Sequence, residues 1–176
     1  IIETPYGLIV NPGDYKLDLD GVDGKPTQDE ETRYSVFDKE KTLLLLADST
    51  NIENPCFSIP ERETHKNLAE IIKSIKGRLF IGTFASQLER MIKIVEVVEK
   101  YGRKLVIEGR SMKTNMEIAQ LAGMWKLRKD TVVPMQDLAK YPKDKIVVLA
   151  TGAQGEEFAA LMRMATKTHK FLRFEK

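Results

Sequence analysis

The chain has 176 residues, of which 42% are hydrophobic and 31% are charged, a composition typical of a globular domain with a buried core. Its apolar runs are too short to cross a bilayer and its first residues lack the regions of a signal peptide, which excludes a membrane partner. A single cysteine, Cys56, excludes an internal disulfide and favours a cytoplasmic location.

The net charge of +2 conceals an asymmetry along the chain. Residues 1–59 carry 5 basic and 12 acidic side chains, whereas residues 60–176 carry 23 basic and 14 acidic ones. The basic part has the sign expected for contact with a polyanion. Scattered surface lysines explain the same charge equally well, so charge alone does not decide between the two interpretations.

The first part of the chain predicts short strands. Residues 1–3 and 8–10 flank a Pro-Tyr-Gly turn and predict a hairpin. Residues 15–18 alternate between apolar and polar side chains, which predicts a further strand. Residues 20–36 are polar and rich in acids, which predicts a long loop. Residues 41–47 predict a buried strand. The chain begins with isoleucine, and we expect it to start inside a longer gene.

From residue 58 onward, strands and helices alternate. Ser-x-x-Glu sequences at 58–61 and 86–89 are capping boxes, which predict helix starts. The predicted strands and helices follow one another with short Gly or Pro joints, a pattern typical of a parallel, doubly wound α/β sheet. The strands are at 79–81, 104–107 and 145–150, and the helices are at 58–76, 86–101, 112–121, 135–140 and 157–165.

Four of the predicted strands end in loops of small polar residues. Such loops lie where ligands bind in parallel sheets, and hydroxyls or glycine amides beside helix N-termini favour an anion. Arg110 adds a fork of donors that suits phosphate oxygens. The candidate phosphate-binding residues are Ser49, Thr50, Thr83, Ser86, Arg110, Ser111, Thr151, Gly152, Gln154 and Gly155.

Simpler interpretations exist for several of these residues. Ser86 is more often a helix cap, and Gly152 and Gly155 are equally consistent with a tight turn. No loop matches the P-loop or the dinucleotide-binding fingerprint. The expected convergence of several loops at one edge of the sheet is what favours an anion site.

Two carboxylates and two histidines are the side chains that bear on metal chemistry. Asp14 and Asp48 interrupt or follow apolar strands, although Asp14 alone is better explained by a turn after Pro12 and Gly13. His65 and His169 lie among charged residues without a second histidine at ligand spacing, and we predict that both are exposed. No metal site can be completed from these residues, and Cys56 is interpreted as a packing residue.

The motifs resemble the ribonuclease J family, β-CASP members of the metallo-β-lactamase superfamily. Residues 11–18 (N-P-G-D-Y-K-L-D) resemble that family's H-T-G-D-F-K-F-D strand, and residues 46–51 (L-A-D-S-T-N) its L-S-D-S-T-N. Residues 83–86 match T-F-A-S, 109–112 match G-R-S-M, and 151–156 resemble T-G-S-Q-G-E. These blocks come in the family's order and span nearly the whole chain.

The resemblance implies a role for each part. Residues 1–56 are expected to be the end of a metallo-β-lactamase segment of the αββα type, and residues 57–176 most of the β-CASP domain. Asp14 is implied as a metal ligand that bridges two zinc ions, and Asp48 as a catalytic residue. The polar loops are implied to line an RNA channel, with a metal-activated hydroxide cleaving the phosphodiester. The implied partners are RNA, the remainder of the parent polypeptide and a second copy in a homodimer.

The departures from the family pattern limit this expectation. The H-x-H-x-D-H motif and the later histidines of the family are not in the sequence, and Asn11, Pro12, Ala153 and Glu89 replace family residues. One aspartate cannot hold two zinc ions. We therefore expect zinc in the intact parent enzyme, none bound by this chain alone, and no RNA hydrolysis by this chain alone.

Two other functions remain open from sequence. One is a non-catalytic phosphate- or nucleotide-binding module that uses the same loops. The other is a structural or dimerising domain whose loops merely cap helices.

Overall fold

A computed structural model describes residues 1–15, 41–50, 52–55, 58–126, 128 and 130–174. The predicted strand at 15–18 beyond Tyr15, the polar loop at 20–36 and Cys56 lie outside the described residues. The chain divides into two compact units, Ile1–Thr64 and His65–Lys176. The sequence-based domain boundary between residues 56 and 57 stays a prediction.

The first unit contains a three-stranded sheet. Its strands are β1 (Ile2–Thr4), β2 (Gly7–Val10) and β3 (Thr42–Leu45), in the order β1-β2-β3. β1 and β2 are antiparallel around the predicted turn, where the Thr4 hydroxyl donates to the Gly7 carbonyl at 2.6 Å, so the hairpin prediction is confirmed. β3 pairs with β2 in parallel.

The strand predicted at residues 41–47 is present as β3, but the prediction that it is buried is wrong. The four leucines from Leu43 to Leu46 are 46–57% exposed. β3 has β2 as its one paired neighbour among the described strands, so it lies at an edge of the sheet. Burial of an apolar strand depends on what covers it, and the described residues do not cover this one.

The second unit is built on a parallel sheet. Its strands β4 (Leu79–Gly82), β5 (Lys104–Glu108) and β6 (Ile146–Ala150) are arranged in the order β4-β6-β5. Helix α1 (Glu61–Ser74) precedes β4, and two further helices and two 3-10 turns connect the strands. These are α2 (Leu88–Lys100), α3 (Arg110–Leu121), Met135–Lys140 and Lys143–Lys145, and α4 (Ala160–Ala165) follows β6.

Both faces of this sheet are covered. Along β5 and β6, alternate side chains enter two different apolar clusters, as the period of two in a strand requires. Leu105, Ile107, Val147 and Leu149 pack with α2 and α3, whereas Val106, Ile146, Val148 and Ala150 pack with Met135, Leu138 and α4. The predicted parallel, doubly wound α/β fold is therefore confirmed.

The predicted starts of the four described helices all differ from the observed ones. α1 begins at Glu61 and not at residue 58, and α3 begins at Arg110 and not at residue 112. α2 begins at Leu88 with Gln87 as N-cap and no side-chain capping bond, so Ser86 does not cap the helix. The Ser86 carbonyl instead accepts from the Leu88 amide at 2.9 Å. α4 begins at Ala160 and not at residue 157, because Ala159 has extended backbone angles. Of the described helices, none is long and apolar enough to cross a membrane.

Both histidines are buried, so the prediction of surface histidines is wrong. His65 is 6% exposed and His169 is 5% exposed. His65 lies seven residues before the buried Ile72, two turns along the same face of α1. The His169 ring accepts hydrogen bonds from the turn that follows it, which keeps this histidine inside the second unit.

Arg103 joins two segments of the second unit. Its guanidinium donates to the carbonyls of Ile72, Ile75 and Gly77 at the end of α1, and to the carbonyl of Asp144 before β6. The last carbonyls of a helix have no partner within the helix, and Arg103 supplies one. Burial lowers the pKa of Arg103, and the charge of Asp144 partly offsets this effect.

Candidate phosphate-binding site

The loops after β4, β5 and β6 lie at one edge of the second unit's sheet. In the strand register, Ala150 at the end of β6 pairs with both Gly82 and Glu108. The ladder continues beyond the strands, because the Thr83 amide donates to the Ala150 carbonyl at 3.3 Å and the Thr151 amide to the Glu108 carbonyl at 3.1 Å. Three of the four predicted loops are therefore neighbours.

A cavity of about 630 Å³ opens beside these loops. Its lining contains two arginines, three hydroxyls and one amide, and it contains no carboxylate side chain. Guanidinium groups and hydroxyls favour the binding of an anion, and the lining has no carboxylate that would repel it. The lining residues are Gly109, Arg110, Ser111, Thr114, Asn115, Thr151, Phe158, Ala160 and Arg163.

Gly109 determines how α3 begins at this cavity. Its φ is +125°, and a Cβ at this position would lie 2.6 Å from Thr151 Cγ2 and 2.7 Å from Thr151 Oγ1. Glycine therefore lets the loop after β5 lie directly against Thr151. α3 begins at the next residue, and its first two residues, Arg110 and Ser111, are exposed. No side chain caps this helix, so its first N–H groups can receive an anion.

The loop after β6 is a tight turn. Gly152 and Gly155 have φ of +115° and +77°, and a Cβ on Gly152 would lie 2.9 Å from the Ala159 Cβ. The Gly155 amide donates to the Gly152 carbonyl, and the Gln154 amide donates to Glu156 Oε2 at 3.2 Å. These geometries account for the two glycines without a ligand, and Gln154 is exposed. Their role toward phosphate stays a prediction.

The β4 loop is tied to α3. Asn115 Nδ2 donates to the Ala85 carbonyl at 2.7 Å, which holds residues 83–86 against the helix that carries Arg110. Thr83 is 4% exposed, and its hydroxyl has no hydrogen-bond partner among the described residues. Ser86 is exposed.

The remaining candidates belong to the first unit. Asp48, Ser49 and Thr50 are exposed after β3. Asp48 accepts from the Thr50 hydroxyl at 2.6 Å and from the Thr50 amide at 3.0 Å, and these bonds hold the pKa of Asp48 below its usual range. Asp14 is also exposed, and the nearby turn is made by Asn11, whose Oδ1 accepts from the Gly13 amide at 2.9 Å.

The described residues do not fit a two-zinc centre. No three His, Cys, Asp or Glu side chains within the described ranges are grouped so that they could hold a metal ion. Asp14 supplies one exposed carboxylate, whereas a zinc site needs three or four protein ligands.

Six of the nine lining residues of the cavity were not among the predicted phosphate-binding residues, and four of these six have a polar or aromatic side chain. Thr114 and Asn115 follow Arg110 and Ser111 by three to five residues, so helical periodicity could have identified them. Phe158 and Arg163 carry no local signal, because they reach the cavity from the far side of the β6 loop.

A second cavity of the second unit, of about 550 Å³, is also lined by basic side chains and is an alternative site for an anion. Two of its lining residues, Arg78 and Lys143, precede β4 and β6, so this cavity lies toward the amino ends of the strands, opposite the first cavity. It is also lined by Lys170 and Arg173 and by the rings of Phe80, Phe171 and Phe174.

Comparison with known proteins identifies relatives of the chain. The family described as Ribonuclease J, beta-CASP domain, matches residues 76–176. Ribonuclease J of Thermus thermophilus is 38% identical over 96% of this chain and 29% of its own length. The Corynebacterium glutamicum protein of the same name is 37% identical over 96% of the chain and 23% of its own length. Ribonuclease J 2 of Staphylococcus epidermidis is 32% identical over 99% of this chain and 31% of its own length.

The chain thus spans between about a quarter and a third of the length of these relatives. The family match covers the whole parallel sheet of the second unit, including every loop that lines the 630 Å³ cavity. The chain therefore belongs to the ribonuclease J family, whose β-CASP domain it carries.

Proposed function

We propose that this chain supplies the RNA-contacting part of a metal-dependent ribonuclease that cleaves RNA phosphodiesters. The observation that carries the proposal is the cavity with Arg110, Arg163, Ser111 and Thr151 at the carboxyl edge of the parallel sheet. Guanidinium groups and hydroxyls of this kind bind the phosphate backbone, which provides most of the affinity of proteins for nucleic acid. The relatives, which are named ribonucleases, support RNA as the ligand.

The other predicted residues have proposed roles in the same function. Further residues are proposed to bind the RNA phosphates through hydroxyls, an amide or the backbone of their loops: Thr83, Ser86, Gly152, Gln154, Gly155, Ser49 and Thr50. Asp48 would be catalytic, and Asp14 would be one zinc ligand within a longer polypeptide that supplies the others. The proposed protein is cytoplasmic and can form a homodimer, with residues 1–56 and 57–176 as its domain segments.

Replacing Arg110 with alanine tests the phosphate contacts. We expect weaker binding of a single-stranded RNA and a logarithmic salt slope that is shallower by about 0.7, because one released counterion is lost. Fluorescence anisotropy with a labelled homopolymer at several salt concentrations measures both quantities. Lys143→Ala is the matched control, because it removes one positive charge from the second cavity.

Each outcome of this titration assigns the contacts. An unchanged salt slope for Arg110→Ala would show that Arg110 does not contact the phosphates. If only Lys143→Ala reduces the slope, the phosphates bind at the second cavity. Tight binding of a mononucleotide would favour the non-catalytic binding module. No salt-dependent RNA affinity at all would favour the structural domain.

The isolated 176-residue chain is expected not to cleave RNA. The described residues form no metal-binding group, and activation of water by zinc needs a bound ion. Labelled RNA incubated with the purified chain and zinc chloride should stay intact on a denaturing gel. Metal-dependent cleavage that disappears in Asp14→Ala would contradict this expectation and place a working metal centre within the chain.

A further inference from the structure

His169 is a buried ionisable residue that the phosphate contacts do not use. It is 5% exposed, and its Nδ1 accepts from the Phe171 amide at 3.3 Å and the Leu172 amide at 3.1 Å. A ring nitrogen that accepts two N–H groups carries no proton, so the proton of the neutral ring is on Nε2.

The other ring nitrogen faces a carboxylate beside the cavity. His169 Nε2 lies 3.6 Å from Glu108 Oε2, and Glu108 Oε1 accepts from Lys113 Nζ on α3 at 3.0 Å. The Glu108 side chain is 13% exposed. Glu108 is the last residue of β5, directly before Gly109 and Arg110. A carboxylate at the rim of the proposed phosphate site is therefore held between α3 and the turn after α4.

The charge of Glu108 opposes the proposed ligand. A carboxylate repels a phosphate several ångströms away, and the repulsion grows where water is excluded. The Lys113 ammonium partly compensates this charge, and the His169 Nε2 lies 3.6 Å from the other carboxylate oxygen. Without the His169 contact, the hydrogen bond from Lys113 is what still restrains the Glu108 carboxylate, so the side chain has more freedom to change its direction.

His169 is also connected to the arginine on the far side of the cavity. Its amide donates to the Arg163 carbonyl at 2.9 Å, as does the amide of Thr168 at the same distance. The backbone of residue 169 thus closes the end of α4, the helix that carries Arg163. The ring of His169 therefore lies against Glu108, and its backbone bonds to residue 163, whose side chain lines the cavity.

We propose that His169 is a positioning residue for RNA binding, which holds the Glu108 carboxylate away from the phosphates at the Gly109–Arg110 loop. The proposal rests on the proposed function of that loop. His169 touches no ligand itself; its effect on RNA passes through Glu108.

Two substitutions separate the two contacts of the ring. Asparagine places an oxygen where Nδ1 accepts from Phe171 and Leu172 but is too short to reach Glu108. Glutamine is long enough to place an N–H near the position of Nε2. We expect His169→Asn to bind single-stranded RNA about threefold to tenfold more weakly, the size of effect expected when one existing negative charge moves closer to the phosphates. We expect His169→Gln to bind as the unsubstituted chain does, even where its melting temperature is lower.

The same measurements are repeated in a Glu108→Gln background, which removes the charge. There His169→Asn should cause no further loss of RNA affinity, because the carboxylate that it releases is absent. Equal RNA affinity of the Asn and Gln variants, or a loss that persists with Glu108→Gln, would overturn the positioning role. If the unsubstituted chain itself shows no salt-dependent RNA affinity, the proposed function fails first, and the His169 inference fails with it.

Discussion

Replacing Arg103 with alanine is expected to lower the free energy of unfolding of the second unit by about 3 kcal/mol. The substitution leaves carbonyls of Ile72, Ile75, Gly77 and Asp144 without their donor in a region where Arg103 itself is 5% exposed. Buried carbonyls without a partner destabilise by about 1 kcal/mol or more each, and water entry recovers part of that loss. The melting temperature of this unit should fall by about 13 °C, from an unfolding entropy of about 2.1 cal/mol/K per residue.

Chemical denaturation followed by circular dichroism measures this effect. Arg103→Lys is the matched control, because an ammonium keeps the charge but cannot donate to four separate carbonyls in the geometry of a guanidinium. We expect the lysine variant to lie between the alanine variant and the unsubstituted chain. Equal stability of all three would show that Arg103 does not hold the end of α1 to the turn before β6.

Replacing Gly109 with alanine is expected to damage both stability and RNA binding. The φ of +125° is unfavourable for any L side chain, at about 1–3 kcal/mol, and the new Cβ would lie 2.6 Å from Thr151 Cγ2. Either the β5 loop or the β6 loop must then move, which displaces Arg110 or Thr151 from the cavity. We expect a loss of about 3 kcal/mol in unfolding free energy and at least tenfold weaker binding of single-stranded RNA.

Gly102→Ala is the matched control for this substitution. Gly102 also has a positive φ, of +62°, but a Cβ there would meet no atom within 4 Å. Gly102→Ala should lower the free energy of unfolding by about 1 kcal/mol, the usual difference between glycine and alanine at positive φ, and it should leave RNA affinity unchanged. If Gly102→Ala and Gly109→Ala have the same effects in denaturation and in anisotropy, the contact of Gly109 with Thr151 does not matter for the site.

The strands and loops of the second unit were predictable because their signals are local. Short apolar runs ended by glycine predicted β4, β5 and β6, and the small polar residues after them predicted the loops at the edge of the sheet. The strict alternation of strand and helix permitted a parallel sheet with both faces covered. The motif blocks at 83–86, 109–112 and 151–156 also pointed to the family that the comparisons identify.

Burial was less predictable, because it depends on neighbours that are distant in sequence. The leucines of β3 have the composition of a core strand, but they lie exposed at the edge of their sheet. His65 and His169 are surrounded in sequence by charged residues, yet both are buried. Ser86 precedes a helix in a capping-box sequence, but a turn held by its own carbonyl moves the helix start to Leu88.

The sequence by itself determined the parallel α/β architecture, the family, and the polar loops that follow the strands, since each is encoded in short segments. The tertiary structure decided which side chains meet at those loops. Asn115 bonds to the β4 loop, Arg163 lines the same cavity as the β5 loop, and His169 lies against Glu108, across separations that sequence spacing does not specify. The physical reason is that strand register and helix packing, both non-local, set the distances at the edge of the sheet.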